Sequence, residues 1–286
     1  MSSYRSLHDL PPLAGVCDFK DAQRPGLSVE ECVHRLKRYH YALKRAYQIF
    51  NNRIPSEPIY ELKMAFSLHS HYCAEHVAAL RKRVGEMREP PLGLEAVPNA
   101  NLEILFDEIL SAPTTGELLL GLYEVALPAL DDAMRKHLED TNPLVDHPSV
   151  RVIRFAMLEL GEMIALGQAS IEAMVDEATR AKSSAWLGLL SDCLANAGGL
   201  GGEKEHANNT INRQHSAKPY TYDGVPRRDE RFPDPYNMGV NAETFLYDDS
   251  FEPEPKTLMM FYKRLREIDV PEMMSSIIAE TPDKPW

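Results

Sequence analysis

The chain has 286 residues, of which 44% are apolar and 26% charged, and its formal net charge is −12 at pH 7. This length and composition predict one large globular domain, or one domain with an appendage, that buries a sizeable core. The acidic balance disfavours nucleic acid and anionic membranes as partners. Because neither a long apolar segment nor an export signal can be recognised, we expect a cytoplasmic protein.

Four cysteines are spread along the chain, at Cys17, Cys32, Cys73 and Cys193. They form no Cys-x-x-Cys pair, which disfavours a disulfide framework and a zinc site built from several thiolates. We therefore expect reduced, mostly buried thiols.

Helix signals dominate the chain. Capping boxes, in which the capping side chain is followed three residues later by Glu, mark three predicted helix starts, at Ser28 with Glu31, Thr114 with Glu117, and Asp269 with Glu272. Apolar residues three and four positions apart predict four long helices. These predicted helices cover 28–50, the stretch from Pro58 to Pro90, 114–140, and the stretch from 148 to a glycine stop at 198–199, with a break near 182–184.

The second and third of these helices are joined by a long connection, residues 89–113, which contains one short helix near 102–110. Helix bundles usually use connections of about 2–8 residues. A longer connection can travel the full height of a bundle, so we expect the second and third helices to run parallel. The fourth helix is apolar almost all round and is expected to be central.

These patterns predict an all-α protein with four parts. They are an N-terminal extension (1–27), a helical bundle domain (28–200), an irregular arm (201–254) and a C-terminal helical pair (255–286). The arm contains many prolines but also seven aromatic residues, and disordered linkers are usually poor in aromatics. We therefore expect residues 203–253 to be ordered and to form a homodimer contact.

Polar residues stand at several positions where the helical spacing requires an apolar side chain. They are His40, His69, Glu124, Glu159 and Glu162. A buried carboxylate needs a hydrogen-bond donor, a cation or a metal, or else becomes protonated. Residue counts along parallel second and third helices give these positions similar heights. We expect them to converge in the bundle interior as metal ligands. The alternatives are core polar groups that satisfy one another without metal, or residues at the edge of the bundle.

Two helical hairpins joined by a long crossover, with Glu and His at mid-height, resemble the ferritin-like superfamily of carboxylate-bridged di-iron proteins. The resemblance covers roughly residues 28–174. The family's ligand positions fall on His40, on Phe66 and His69, on Glu124, and on Glu159 and Glu162. Phe66 replaces a Glu of the family pattern, and Glu162 replaces a His. Other candidate ligands on the second helix are His71, Tyr72, Glu75 and His76.

The resemblance implies a metal centre at the predicted ligands, with one or two iron ions or with manganese. It also implies an oxidase or oxygenase that activates dioxygen and acts on a small organic substrate. The alternative function is a metal-free helical bundle that serves assembly or protein interaction.

Overall fold

The computed structural model of the protein describes residues 6–87, 93–204, 209–232 and 246–281. Across these ranges the regular structure is helical, without a β-strand, so the predicted all-α class is confirmed. None of the helices in these ranges combines the length and the apolar composition that a membrane span requires.

The α-helices and one π-helical segment are numbered here in chain order. They are α1 (Phe19–Ala22), α2 (Val29–Arg53), α3 (Tyr60–Glu86), α4 (Ala100–Leu110), α5 (Thr115–Leu119), a π-helical segment (Leu120–Ala126), α6 (Leu127–Asp140), α7 (His147–Met174), α8 (Glu177–Asn196), α9 (Pro253–Arg266) and α10 (Asp269–Glu280). The α5 helix, the π-helical segment and α6 are contiguous and together form the predicted third helix.

Two of the predicted helix starts have their N-cap bonds, and at Ser28 the capping box is reciprocal. At the start of α2, Glu31 N–H donates to Ser28 Oγ at 3.2 Å, and Ser28 N–H donates to the Glu31 carboxylate at 2.8 Å. At the start of α5, Glu117 N–H donates to Thr114 Oγ1 at 3.2 Å. These bonds satisfy amide groups that have no partner within the first turn of a helix.

Two predicted boundaries are wrong. The break after α7 lies at residues 175–176, not near 182–184, because the Asp176 carboxylate accepts from Thr179 N–H at 2.7 Å and starts α8 there. The third predicted capping box is also absent. Asp269 lies inside α10, and the buried Glu272 carboxylate forms ion pairs instead of capping the helix.

Contacts divide the chain into two compact units. The first consists of Met1–Ala46 and Tyr72–Tyr220, and the second of Tyr47–His71 and Thr221–Trp286. The α2 and α3 helices therefore contribute residues to both units. The predicted parts follow the order of the chain, whereas these units combine segments that are far apart in sequence.

Three helices of the first unit meet at one end. His76 on α3 lies 2.6 Å from Glu159 on α7, and Arg83, further along α3, lies 3.0 Å from Asp146 just before α7. Hence α3 and α7 are antiparallel. His137, in the last turn of α6, lies 3.6 Å from the same Asp146. The C-terminal ends of α3 and α6 therefore lie together.

Only one face of α7 is buried. Its buried residues are Ser149, Val150, Ile153, Ala156, Leu160, Met163, Gly167 and Ile171. On the other face, Phe155 and Leu158 are exposed by 54% and 64%. The prediction that this helix is central on all sides is therefore wrong.

The end of α8 is held by a buried arginine. Arg38 donates to the carbonyl oxygens of Ala197 and Leu200, each at 2.7 Å, and to that of Gly199 at 2.8 Å. Gly198 and Gly199 have φ values of 75° and 78°, in the left-handed region that ends helices. The predicted glycine stop is thus confirmed.

A buried carboxylate fixes part of the irregular arm on α4. Glu108 is fully buried and accepts from the backbone N–H groups of Gln214, His215 and Ser216 at 2.7, 2.8 and 3.0 Å. The Ser216 hydroxyl and the Trp186 indole N–H also donate to it, at 2.7 and 3.1 Å. This stretch of the arm is therefore anchored by its own backbone.

Aromatic residues further along the arm differ in their packing. In the second unit, Phe232 stacks on Tyr60 with 5.1 Å between ring centroids. Tyr247 is exposed by 84%. Tyr236 and Phe245 lie outside the described residues. The homodimer contact through the arm stays a prediction.

The second unit contains a buried cluster of charges. Lys63 pairs with Glu272, and its Nζ also donates to the carbonyl oxygens of Pro55 at 3.2 Å and Arg227 at 3.0 Å. Arg228 Nε donates to the same Glu272 oxygen, Oε1, at 3.2 Å, and Asp269 lies 3.6 Å from Arg228 Nη2. Glu272 therefore neutralises two buried cations.

Candidate metal centre

Two of the predicted metal ligands lie on the surface. The Glu124 side chain is 40% exposed and pairs with Arg180 on α8 at 2.9 Å. Glu162 is exposed on α7. The prediction that these carboxylates are buried in the interior is therefore wrong.

The π-helical segment explains the error at Glu124. A π-turn contains about one residue more than an α-turn, so α-helical spacing assigns the wrong residue to the interior. Tyr123 takes that place: it is fully buried, and a Cβ built on Gly167 would lie 2.0 Å from its Cγ. The neighbouring Glu124 consequently points outward.

The error at Glu162 arises from the direction of the side chain around the helix axis. The buried face of α7 includes Leu160 and Met163, whereas Glu162 shares the exposed face with Leu158. The apolar residues all round this helix gave no indication of which face is buried. Height along a helix alone does not bring side chains together.

Both predicted histidine ligands are buried. His40, in the first unit, is fully buried, and within the described residues neither of its ring nitrogens has a hydrogen-bond partner. His69, in the second unit, packs edge-on against the Phe50 ring at 5.5 Å between centroids. Burial lowers the pKa of each imidazole to about 4, so both are neutral at pH 7.

The fifth predicted ligand, Glu159, has one histidine beside it. His76 Nε2 lies 2.6 Å from Glu159 Oε2, and both side chains are partly buried. Burial and then the charge of Glu159 raise the pKa of the nearby Cys73 thiol. The structure thus pairs Glu159 with His76, one of the alternative candidates, as two potential ligands.

A different group in the first unit places three ligand atoms together. Among the described residues, Cys32, His137 and Asp146 each offer one atom within 4.8 Å of the others. Cys32 Sγ lies 3.1 Å from Asp146 Oδ2 and 3.5 Å from His137 Nε2. His137 Nε2 lies 3.6 Å from Asp146 Oδ2.

Helix ends position these three side chains. Cys32 is in the first turn of α2, which begins at the Ser28 capping box. His137 is in the last turn of α6, and Asp146 directly precedes α7. The short turn between α6 and α7 brings the last two together, and the start of α2 packs beside them.

The Asp146 carboxylate has further polar partners. Its Oδ1 accepts from Arg83 Nη2 at 3.0 Å, and its Oδ2 accepts from the Thr141 hydroxyl at 2.9 Å. Burial by itself would raise the pKa of Asp146, but hydrogen bonds, first of all from His137, outweigh it and hold this pKa well below its usual range. The group is therefore a carboxylate at neutral pH.

The arrangement does not favour nucleophilic catalysis. Burial, followed by the contact with Asp146, raises the pKa of the Cys32 thiol to about 12, so the thiolate is scarce at neutral pH. In a nucleophilic triad one imidazole nitrogen faces the nucleophile and the other faces the carboxylate. Here His137 Nε2 faces both Cys32 and Asp146, and Nδ1 has no partner within the described residues.

The donor set and its spacing do suit a metal ion. Tetrahedral zinc sites use Cys, His and Asp ligands at about 2.0–2.3 Å, which places the ligand atoms about 3.3–3.7 Å apart. The three distances in the cluster are 3.1, 3.5 and 3.6 Å. Only small shifts would therefore be needed to accommodate such an ion.

Sequence reasoning did not single out His137 or Asp146. It did expect Cys32 to be a reduced thiol; all four cysteines are free, and Cys17 is the one that is not buried. The sequence contains one signal for this cluster, which is the position of its residues at helix ends. Cys32 lies at the start of one predicted helix, and His137 and Asp146 flank the turn between two others.

Searches of protein-family models, of curated proteins and of solved structures gave no match to this chain. The function must therefore be inferred from the residues themselves.

Proposed function

We propose that this protein binds one transition-metal ion of the zinc class through Cys32, His137 and Asp146. The observation that supports the proposal is the compact triangle of sulfur, nitrogen and oxygen atoms, with sides of 3.1–3.6 Å. The three ligands come from α2, α6 and the residue before α7, so one ion would join three segments of the first unit.

The surroundings of the cluster also support this role. Cys32 and His137 are buried, and the Asp146 side chain is only 12% exposed. Arg83 and Thr141 orient the carboxylate, as partners of metal-ligating side chains commonly do. When bound, the ion would hold Cys32 as a thiolate and stabilise the folded state by its binding free energy.

The ligand types favour zinc over iron or manganese. Thiolate and imidazole ligands suit zinc, whereas manganese prefers oxygen ligands. The iron or manganese oxygenase predicted from sequence would need Glu124 and Glu162, which are exposed in this chain. Of its other predicted ligands, Glu159 pairs with the alternative candidate His76, and together they offer two ligands. The cluster at Cys32 is therefore the better candidate.

For the fold, we propose the helix order of the ferritin-like superfamily. Its support is the shared contact of Arg83 and His137 with Asp146, which the parallel arrangement of α3 and α6 produces. In this proposal the metal lies at the end of the bundle and not at mid-height.

The test measures the metal content of full-length protein purified without a histidine tag. We expect about one zinc ion per chain, or one cobalt ion after exchange, with a thiolate-to-cobalt absorption band. The variant Cys32→Ser should lose the band and the ion. Cys193→Ser removes another buried free thiol of the first unit and should keep both.

Glu124→Ala provides a second control, because it removes a ligand of the oxygenase prediction but not of the zinc proposal. Metal content should stay unchanged in this variant. The zinc proposal is wrong if wild-type protein incubated with zinc or cobalt retains less than about 0.1 ion per chain, or if Cys32→Ser binds as much metal as Cys193→Ser.

A further inference from the structure

The exposed side of α7 forms an apolar face in the middle of a long helix. Phe155 and Leu158 are exposed by 54% and 64%, and they are followed on the same side by Gly161, Glu162 and Ala165. A Cβ built on Gly161 would meet no atom within 4 Å, so the surface is open there. Large apolar side chains on a helix face are normally covered by another element.

Two charged residues lie at equal distances from the centre of this face. Arg154 precedes Leu158 by four residues, and Glu162 follows it by four. Both side chains are exposed. At 1.5 Å per residue, each lies about 6 Å along the helix from Leu158.

We propose that this face binds the same face of a second copy of the chain, with the two α7 helices antiparallel about a two-fold axis at Leu158. Such an axis brings Leu158 of both copies together and places Phe155 of each copy beside the partner helix. It also sets Arg154 of one copy at the height of Glu162 of the other, and does so twice, because two-fold contacts are repeated.

The charges of Arg154 and Glu162 favour the antiparallel orientation of the two α7 helices over a parallel one. Two parallel α7 helices in register would set Arg154 against Arg154 and Glu162 against Glu162, which is repulsive. The antiparallel pair sets unlike charges together at both ends. The proposal is independent of the metal cluster and differs from a dimer through the irregular arm.

The test uses the full-length chain and measures its mass by sedimentation velocity over about a hundredfold range of concentration. Wild-type protein should be a dimer at the upper end. Leu158→Asp, which acts twice at the axis, should weaken the dimer by about a hundredfold or more. Leu10→Asp changes another exposed leucine of the first unit, 61% exposed, and should leave the dimer intact.

A charge exchange tests the orientation. Arg154→Glu should weaken the dimer, and adding Glu162→Arg should restore it. Circular dichroism and thermal unfolding verify that each variant is folded. A monomeric wild type, a dimer insensitive to Leu158→Asp in a folded variant, or a failure of the charge exchange to restore association would each overturn the proposal.

Discussion

The ring of Tyr123 occupies the space that a side chain at position 167 would need. A Cβ built on Gly167 would lie 2.0 Å from Tyr123 Cγ and 2.2 Å from its Cδ1. The glycine in the C-terminal third of α7 thus allows a fully buried tyrosine from the π-helical segment to pack against the α7 backbone. This contact determines which residue of the π-helical segment faces inward.

Gly167→Ala should therefore be strongly destabilising. The added methyl group must displace a buried ring, so we expect the free energy of unfolding to fall by about 3 kcal/mol or more. Gly188→Ala is the matched control in α8, where a Cβ meets no atom within 4 Å; it should stabilise by about 0.5–1 kcal/mol. Urea denaturation measures both, and equal effects would contradict the packing described here.

Arg38→Met should lower the free energy of unfolding, because this arginine donates hydrogen bonds to buried carbonyl groups. The substitution keeps an extended side chain but leaves three carbonyl oxygens at the end of α8 without their donor. We expect a loss of about 2–4 kcal/mol in the free energy of unfolding. Arg135→Met, which loses only a surface pair with Asp131, should change it by less than about 0.5 kcal/mol.

Glu108 should make the free energy of unfolding depend on pH in the acidic range. Burial raises its pKa, but the bonds from Ser216, His215 and Gln214 outweigh that effect, and the pKa in the folded protein is lowered. The carboxylate therefore stabilises the fold fully above its unfolded pKa of about 4.3, and this contribution is lost as the pH falls through the lowered folded pKa.

Glu108→Gln tests this dependence. The amide nitrogen cannot accept the bonds that the carboxylate accepts, so we expect a loss of about 2–4 kcal/mol at pH 7 and a smaller further loss on acidification. Glu172→Gln, at an exposed position of α7, should behave like wild type. Urea denaturation at a series of pH values provides the comparison. A parallel pH profile for Glu108→Gln and wild type would disprove the assignment.

Glu272→Gln should destabilise the second unit. The change removes the carboxylate that the buried Lys63 and Arg228 share, although Arg228 keeps Asp269 at 3.6 Å, and breaking a buried pair in this way costs about 3–5 kcal/mol. Limited trypsin digestion should become faster at Arg227 and Arg228. The control Glu254→Gln, at an exposed position of α9, should be digested like wild type. Unchanged digestion of Glu272→Gln would show that the cations find other partners.

Local signals in the sequence were sufficient to locate the helices. The cap at Ser28 and the glycines at 198–199 act through backbone groups a few residues away, so their effect can be inferred without knowing the fold. The faces of the helices could not be inferred in this way. The inward direction of Tyr123 depends on a π-turn and on Gly167, which is far away in sequence.

The candidate site was missed for a related reason. Polar residues at mid-height are conspicuous because they interrupt the apolar spacing, whereas His137 and Asp146 lie next to a turn, where polar residues are ordinary. Their proximity to Cys32 results from three helix ends that meet, which is a property of the tertiary structure. All three residues do lie at the ends of predicted helices, so a search for ligands among helix ends finds them.

The division of α2 and α3 between the two units has a consequence for synthesis on the ribosome. Every segment of the first unit precedes residue 221, whereas the second unit combines residues 47–71 with residues 221–286, which are translated after the whole first unit. The first unit can therefore assemble while translation continues. Lys63 cannot pair with Glu272, which lies 209 residues later, until that residue has been translated. Until then, residues 47–71 lack the segments that complete their unit, and exposed apolar surface of this kind is what chaperones bind.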